Sequence, residues 1–181
     1  MTHYNTLATS EQVSDAITDI AKNILNDHEQ SPLFVGLLRG AAPFSSRLMT
    51  ELACQAPEYH PELDYMMVST YGADRHAGEP HIVTDLAPST IVNGRAVIII
   101  DDVLDKGITA DFVIKHLEAR GASDVRLAVL CEKLVTREKP IEADYKGFTL
   151  GDRWLVGMGM DDSSAAVEGY RWLDEIREVA K

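Results

Sequence analysis

The chain has 181 residues, 45% hydrophobic and 25% charged, the composition of an ordered globular protein, and a single domain over 1–181 is expected. Lys and Arg number 17 against 29 Asp and Glu, a net charge of −12, which excludes a general nucleic-acid partner and an anionic membrane surface. The longest apolar runs, at 33–38 and 96–100, fall far short of the ~20 residues a membrane helix needs, and the polar start MTHYNTLATSEQ lacks a secretory hydrophobic region, so the expected address is the cytoplasm.

Ser10 is placed to cap a helix in which Val13, Ala16, Ile17, Ile20, Ala21, Ile24 and Leu25 recur at helical spacing, fading at 26–28. LFVGLL at 33–38 is apolar on both faces, as a strand between two helix layers must be, and Pro43 suits the first turn of a helix carrying Leu48, Met49 and Leu52. A strand LDYMMVSTY at 63–71 leads into a polar stretch over 72–94, too long for a routine connection and therefore expected to be functional. AVIII at 96–100, an acidic turn, a helix over about 109–120 ending at Gly121 and the strand VRLAVLCEK at 125–133 make a parallel crossover. Shorter strands are expected near 143–148 and 154–160, and Trp172, Leu173, Ile176 and Val179 form the stripe of a final helix over about 163–181. Cys54 and Cys131, with no CxxC, read as reduced core thiols. The alternation predicts an α/β fold with an open, mainly parallel twisted sheet covered by helices on both faces, whose ligands bind beyond the carboxyl ends of its strands, after Leu38, Ile100 and Lys133.

The strongest chemical signal is VIIIDDVLDKGIT at 97–109, a buried strand followed by Asp101, Asp102, Asp105, Lys106, Gly107 and Thr109 before the next helix. A helix N-terminus behind a glycine turn offers free N–H groups to a phosphate. Three carboxylates beside it suit a ligand that presents hydroxyls or brings Mg²⁺, so a phosphorylated sugar with a metal satisfies both halves of the turn. There is no GxxxxGK[ST] loop, Gly157 and Gly159 lack the third glycine of a dinucleotide fingerprint, and the six histidines show no HExxH spacing.

This string resembles the phosphoribosyl pyrophosphate signature of the type I phosphoribosyltransferases. GLLRG at 36–40, STYG at 69–72, Lys133 and RWLVGMGMD at 153–161 resemble the pyrophosphate loop, mobile catalytic loop and purine site of the hypoxanthine-guanine members, over a core of about 33–161. The resemblance implies their fold, with a small hood-like purine-site region, a homo-oligomer (dimer or tetramer) and small-molecule substrates. It also implies transfer of a 5-phosphoribosyl group from phosphoribosyl pyrophosphate to hypoxanthine or guanine, giving a nucleotide and pyrophosphate. By the same resemblance, Asp105, Arg39 and Tyr71 are catalytic. Leu38, Arg39, Gly40, Asp101, Asp102, Asp105, Lys106, Gly107, Ile108 and Thr109 bind the donor, with a cis peptide between Leu38 and Arg39. Lys133, Trp154, Leu155 and Asp161 bind the purine, and Asp101, Asp102 and Asp161 ligate Mg²⁺.

The chain departs from that pattern at several points. Asp101 stands where Glu is common, Ile108 where a polar residue is common, and Val167 where an arginine helps to hold pyrophosphate, leaving Arg171 as the candidate replacement. The tail after Asp162 is unlike the usual one. Two alternatives follow: a regulator that senses phosphoribosyl pyrophosphate or a nucleotide without turnover, and a transferase for another base such as xanthine or uracil.

Overall fold

The computed structural model describes residues 3–71 and 77–180. Its central strands are those whose residues are apolar on both faces: β2 (Leu33–Leu38), β5 (Ala96–Leu104) and β6 (Asp124–Lys133). They run parallel and adjacent, Phe34 opposite Ile98 and Ile99 opposite Leu127. β3 (Glu62–Tyr71) and β7 (Tyr145–Leu150) extend the parallel sheet on either side, and β4 (Ala77–Thr84) adds an antiparallel edge, giving the order β4-β3-β2-β5-β6-β7.

Strand alternation sends successive residues to opposite layers. Phe34, Ile98, Ile100 and Leu130 pack with Ile17, Ile24, Phe44 and Leu48 of α1 (Ser10–Asp27) and α2 (Ala41–Gln55). Val35, Val97, Ile99 and Val129 pack with Val113 and Leu117 of α3 (Ile108–Ala119). Each such side chain contributes roughly 1.5–3 kcal/mol by its burial. A three-stranded antiparallel sheet, β1 (Tyr4–Ala8), β9 (Ile176–Val179) and β8 (Leu155–Val156), joins the two ends of the chain into a small hood. Among the described residues no helix is long and apolar enough to cross a membrane.

Several local expectations are corrected. Thr9, not Ser10, caps α1, through a reciprocal capping box with Gln12. Part of the polar stretch after Tyr71 is β4, paired to β3 as an edge that needs no hydrophobic run. Cys131 is buried as expected, but Cys54 is exposed on α2. The final helix over 163–181 is not formed: turns occupy most of 163–175, and β9 follows. Glu168 and Tyr170 take left-handed φ of 57° and 63°, Trp172 is 70% exposed, and Ile176 is buried through strand pairing, so tertiary contacts override the helical stripe.

Candidate active site

Strand β5 does not stop before the acid pair. It continues to Leu104, so Asp101 and Asp102 are strand residues, Asp101 paired in register with Val129 of β6. The Asp102 amide donates to Asp101 Oδ1 at 3.0 Å. Burial, and then the neighbouring Asp102 charge, raise the Asp101 carboxyl well above its usual range. Burial raises Asp102 from 3.8 to about 6, against the lowering effects of its contact with Asp101 and of the Arg171 guanidinium. The turn after β2 lies directly on Asp102: a Cβ at Gly40 would come within 2.4 Å of Asp102 Oδ2, so any larger residue there would push the carboxylate aside. The Leu38–Arg39 peptide is cis, as expected, and the Arg39 side chain is 62% exposed.

After β5 the chain turns through Asp105, Lys106 and Gly107 into α3. Gly107 has φ 80°, and a Cβ there would meet the Lys139 carbonyl at 2.8 Å, so its glycine serves the turn and the segment behind it. The first helical bond runs from the Asp111 amide to the Gly107 carbonyl, leaving the amides of Ile108, Thr109 and Ala110 before it and available to an anion. The Lys106 ammonium pairs with Glu138 at 2.8 Å, so the turn's cradle is backbone rather than side chain. Arg137 holds the turn from behind, donating to the Asp105 carbonyl at 2.7 Å and to Glu132, which is 5% exposed, at 2.7 Å.

Beside the acid pair is a cavity of about 240 Å³ lined by Asp102, Val103, Asp105, Lys133, Trp154, Leu155, Met160 and Asp161. Lys133, at the end of β6, donates to Asp105 Oδ2 at 2.8 Å. Trp154 is 59% exposed at the rim, whereas Leu155 is buried in β8. Asp161 Oδ1 accepts from Arg171 at 2.8 Å.

A phosphoribosyl transferase domain model matches residues 3–163, and the hypoxanthine-guanine phosphoribosyltransferase of Lactococcus lactis is 33% identical over 157 residues, 86% of the chain and 81% of that protein. The chain belongs to the phosphoribosyltransferase family, in its hypoxanthine-guanine branch. A hypoxanthine phosphoribosyltransferase from Staphylococcus aureus superposes with a TM-score of 0.83 at 29% identity, covering 97% of the chain and 91% of that structure. The bifunctional protein TilS/HprT of Listeria monocytogenes is 36% identical over 86% of the chain, and the chain spans 23% of its length.

Within this phosphoribosyltransferase fold, Asp102, Asp105, Lys133, Trp154, Leu155 and Asp161 meet around one cleft, Gly40 lies against Asp102, and the turn that starts at Asp105 leads to the free amides of Ile108 and Thr109. Among the described residues no group of three or more His, Cys, Asp or Glu side chains is gathered as a metal cluster, and Asp161 is paired with Arg171 rather than with the Asp101–Asp102 pair. Tyr71 ends β3, and its side chain and residues 72–76 lie outside the described residues. Sequence reading did not find Glu132, Arg137 or Glu168, whose contacts lie behind the reacting groups and whose local sequence carries no motif.

Proposed function

We propose that the chain is a purine salvage phosphoribosyltransferase that transfers the 5-phosphoribosyl group from phosphoribosyl pyrophosphate to N9 of hypoxanthine or guanine. The observation that carries this reading is one cleft lined by Asp102 of the carboxylate pair, by Asp105, which begins the turn into α3, by its partner Lys133 and by Trp154. As the ribose C1–oxygen bond to pyrophosphate breaks and the bond to N9 forms, positive charge grows on the sugar ring. Asp101 and Asp102 accept from the ribose hydroxyls and supply negative charge nearby. The amides of 106–109 hold the 5-phosphate, while Arg39 and the Gly40 backbone hold pyrophosphate. The Asp105 carboxylate takes the proton that the base loses at N7. Lys133 has three donors, so it can keep Asp105 in place and also donate to the 6-oxo oxygen of the base. Trp154 stacks on the purine and the Leu155 backbone borders it.

The acid pair fits Mg²⁺: two hard oxygen donors stand side by side, and their burial favours the protonated forms until a cation compensates their charge. Asp101 and Asp102 would hold the ion, with Asp161 offering a further oxygen beside Arg171. When bound, it neutralises charge on the pyrophosphate leaving group.

The test is incubation with Mg²⁺, phosphoribosyl pyrophosphate and a panel of bases. Nucleotide from hypoxanthine and guanine, with little from adenine, is expected. Tight donor binding with no nucleotide from any base would instead make the chain a sensor.

A further inference from the structure

Four charges form a chain from Asp161 through Arg171 and Glu168 to Arg39 in the turn after β2. The Arg171 side chain is 10% exposed; it donates from Nη2 to Asp161 Oδ1 at 2.8 Å, from Nη1 to the Gly159 carbonyl and from Nε to Glu168 Oε2. The other oxygen of Glu168, Oε1, accepts from Arg39 Nη1. One carboxylate therefore bridges two guanidiniums, one buried and one 62% exposed. Glu168 has a left-handed φ of 57°, a conformation that a non-glycine residue keeps only where its surroundings fix it.

Arg171 is thus committed to Asp161, Gly159 and Glu168 and is not free to stand in for a pyrophosphate-binding arginine; it anchors Glu168. Arg39 is the exchangeable partner, because its pair with Glu168 lies at the surface, where ion pairs are weak and readily replaced. We infer that Glu168 is a positioning residue that parks Arg39 in the donor-free site in competition with pyrophosphate, and that Arg171 fixes it there. The inference rests on the assignment of Arg39 to the leaving group. Donor binding moves Arg39 from Glu168 to the pyrophosphate oxygens. After transfer Glu168 takes Arg39 back, which favours pyrophosphate release.

The experiment measures donor KM, hypoxanthine KM and product inhibition by pyrophosphate for wild type, Glu168→Gln, Arg39→Met and the double variant. Glu168→Gln keeps the side-chain shape and removes the competing charge. Its donor KM and pyrophosphate inhibition constant are expected to fall about two- to fivefold, the range of a surface ion pair, with hypoxanthine KM unchanged. In the Arg39→Met background Glu168→Gln should lose most of that effect. Calorimetric titration with magnesium pyrophosphate, below each variant's unfolding transition, makes the same comparison where turnover is too low to follow. Donor and pyrophosphate constants that are unchanged or raised in Glu168→Gln overturn the inference, as does a full effect persisting without Arg39. Pyrophosphate binding unaltered in Arg39→Met is a separate result: it removes Arg39 from the leaving-group site and the inference with it.

Discussion

Asp102→Asn reads the electrostatics of the cleft directly, because it preserves the side-chain shape packed against Gly40 and removes one charge. Asp102 has its pKa raised from 3.8 to about 6 by burial. A carboxyl with a folded-state pKa above its unfolded value contributes stability that is fully present below pH 3.8 and lost as pH rises through about 6. Above that range the buried charge costs about 3 kcal/mol by the conversion of roughly 1.4 kcal/mol per pKa unit. Asp101 is raised in part by the Asp102 charge, so the substitution relieves it as well; the attraction of Arg171 for Asp102 is already contained in the value of about 6. The expected net gain at pH 7 is about 1–3 kcal/mol, a rise in Tm of roughly 3–10 °C for a domain of this size.

Thermal unfolding followed by circular dichroism from pH 4 to 8, without ligand or metal, checks this. The Tm difference between Asp102→Asn and wild type should be near zero at pH 4, grow towards pH 6 and then level off. The same variant should lose donor binding, so the stability gain comes with a functional loss. A wild type as stable as the variant at pH 7, or a difference independent of pH, would refute the assigned cost of the buried charge.

Asp105→Asn should lower kcat by about 10² to 10⁴ with a smaller change in donor KM, measured by single-turnover nucleotide formation. Lys133→Met should impair hypoxanthine and guanine alike while leaving donor binding largely intact, and wild type should disfavour adenine by a factor of roughly 10⁴, because the ammonium would face another donor. Trp154→Ala should raise the KM for either purine by roughly 5- to 150-fold, the equivalent of about 1–3 kcal/mol of stacking, with little change in Tm because the ring is 59% exposed. Excess chelator should abolish turnover and weaken donor binding, read by activity and by calorimetry with and without added Mg²⁺.

The central strands were legible because burial on both faces leaves an unbroken apolar run, as in 33–38 and 97–100, and helices α1 to α3 because one stripe of each faces the sheet. The strands that escaped notice are the edges β4 and β1 and the middle strand β9 of the small sheet. β4 belongs to a polar stretch and, among the described residues, pairs only with β3, and β1 and β9 pair with each other across the length of the chain. Their stability comes from a partner that local sequence does not reveal. At 172–179 the stripe had helical spacing, yet pairing of β9 between β1 and β8 prevailed.

The same distinction separates the visible part of the site from its supports. Asp101 to Thr109 is contiguous, so strand, acids, glycine and helix start can be read together. Lys133 and Asp105, 28 positions apart, become a pair only when β5 and β6 lie side by side. Arg39 and Glu168 are 129 positions apart, and although GLLRG marks Arg39, nothing in the sequence links it to Glu168. Arg137 and Arg171 are built alike: each buries a guanidinium behind the cleft and binds a backbone carbonyl, Arg137 pairing with Glu132 and Arg171 with Asp161 and Glu168. A buried guanidinium left without its acid is costly, so removing Glu132 should disturb the Asp105 turn by way of Arg137. Removing Glu168 leaves Arg171 its pair with Asp161, so the effect should fall instead on Arg39.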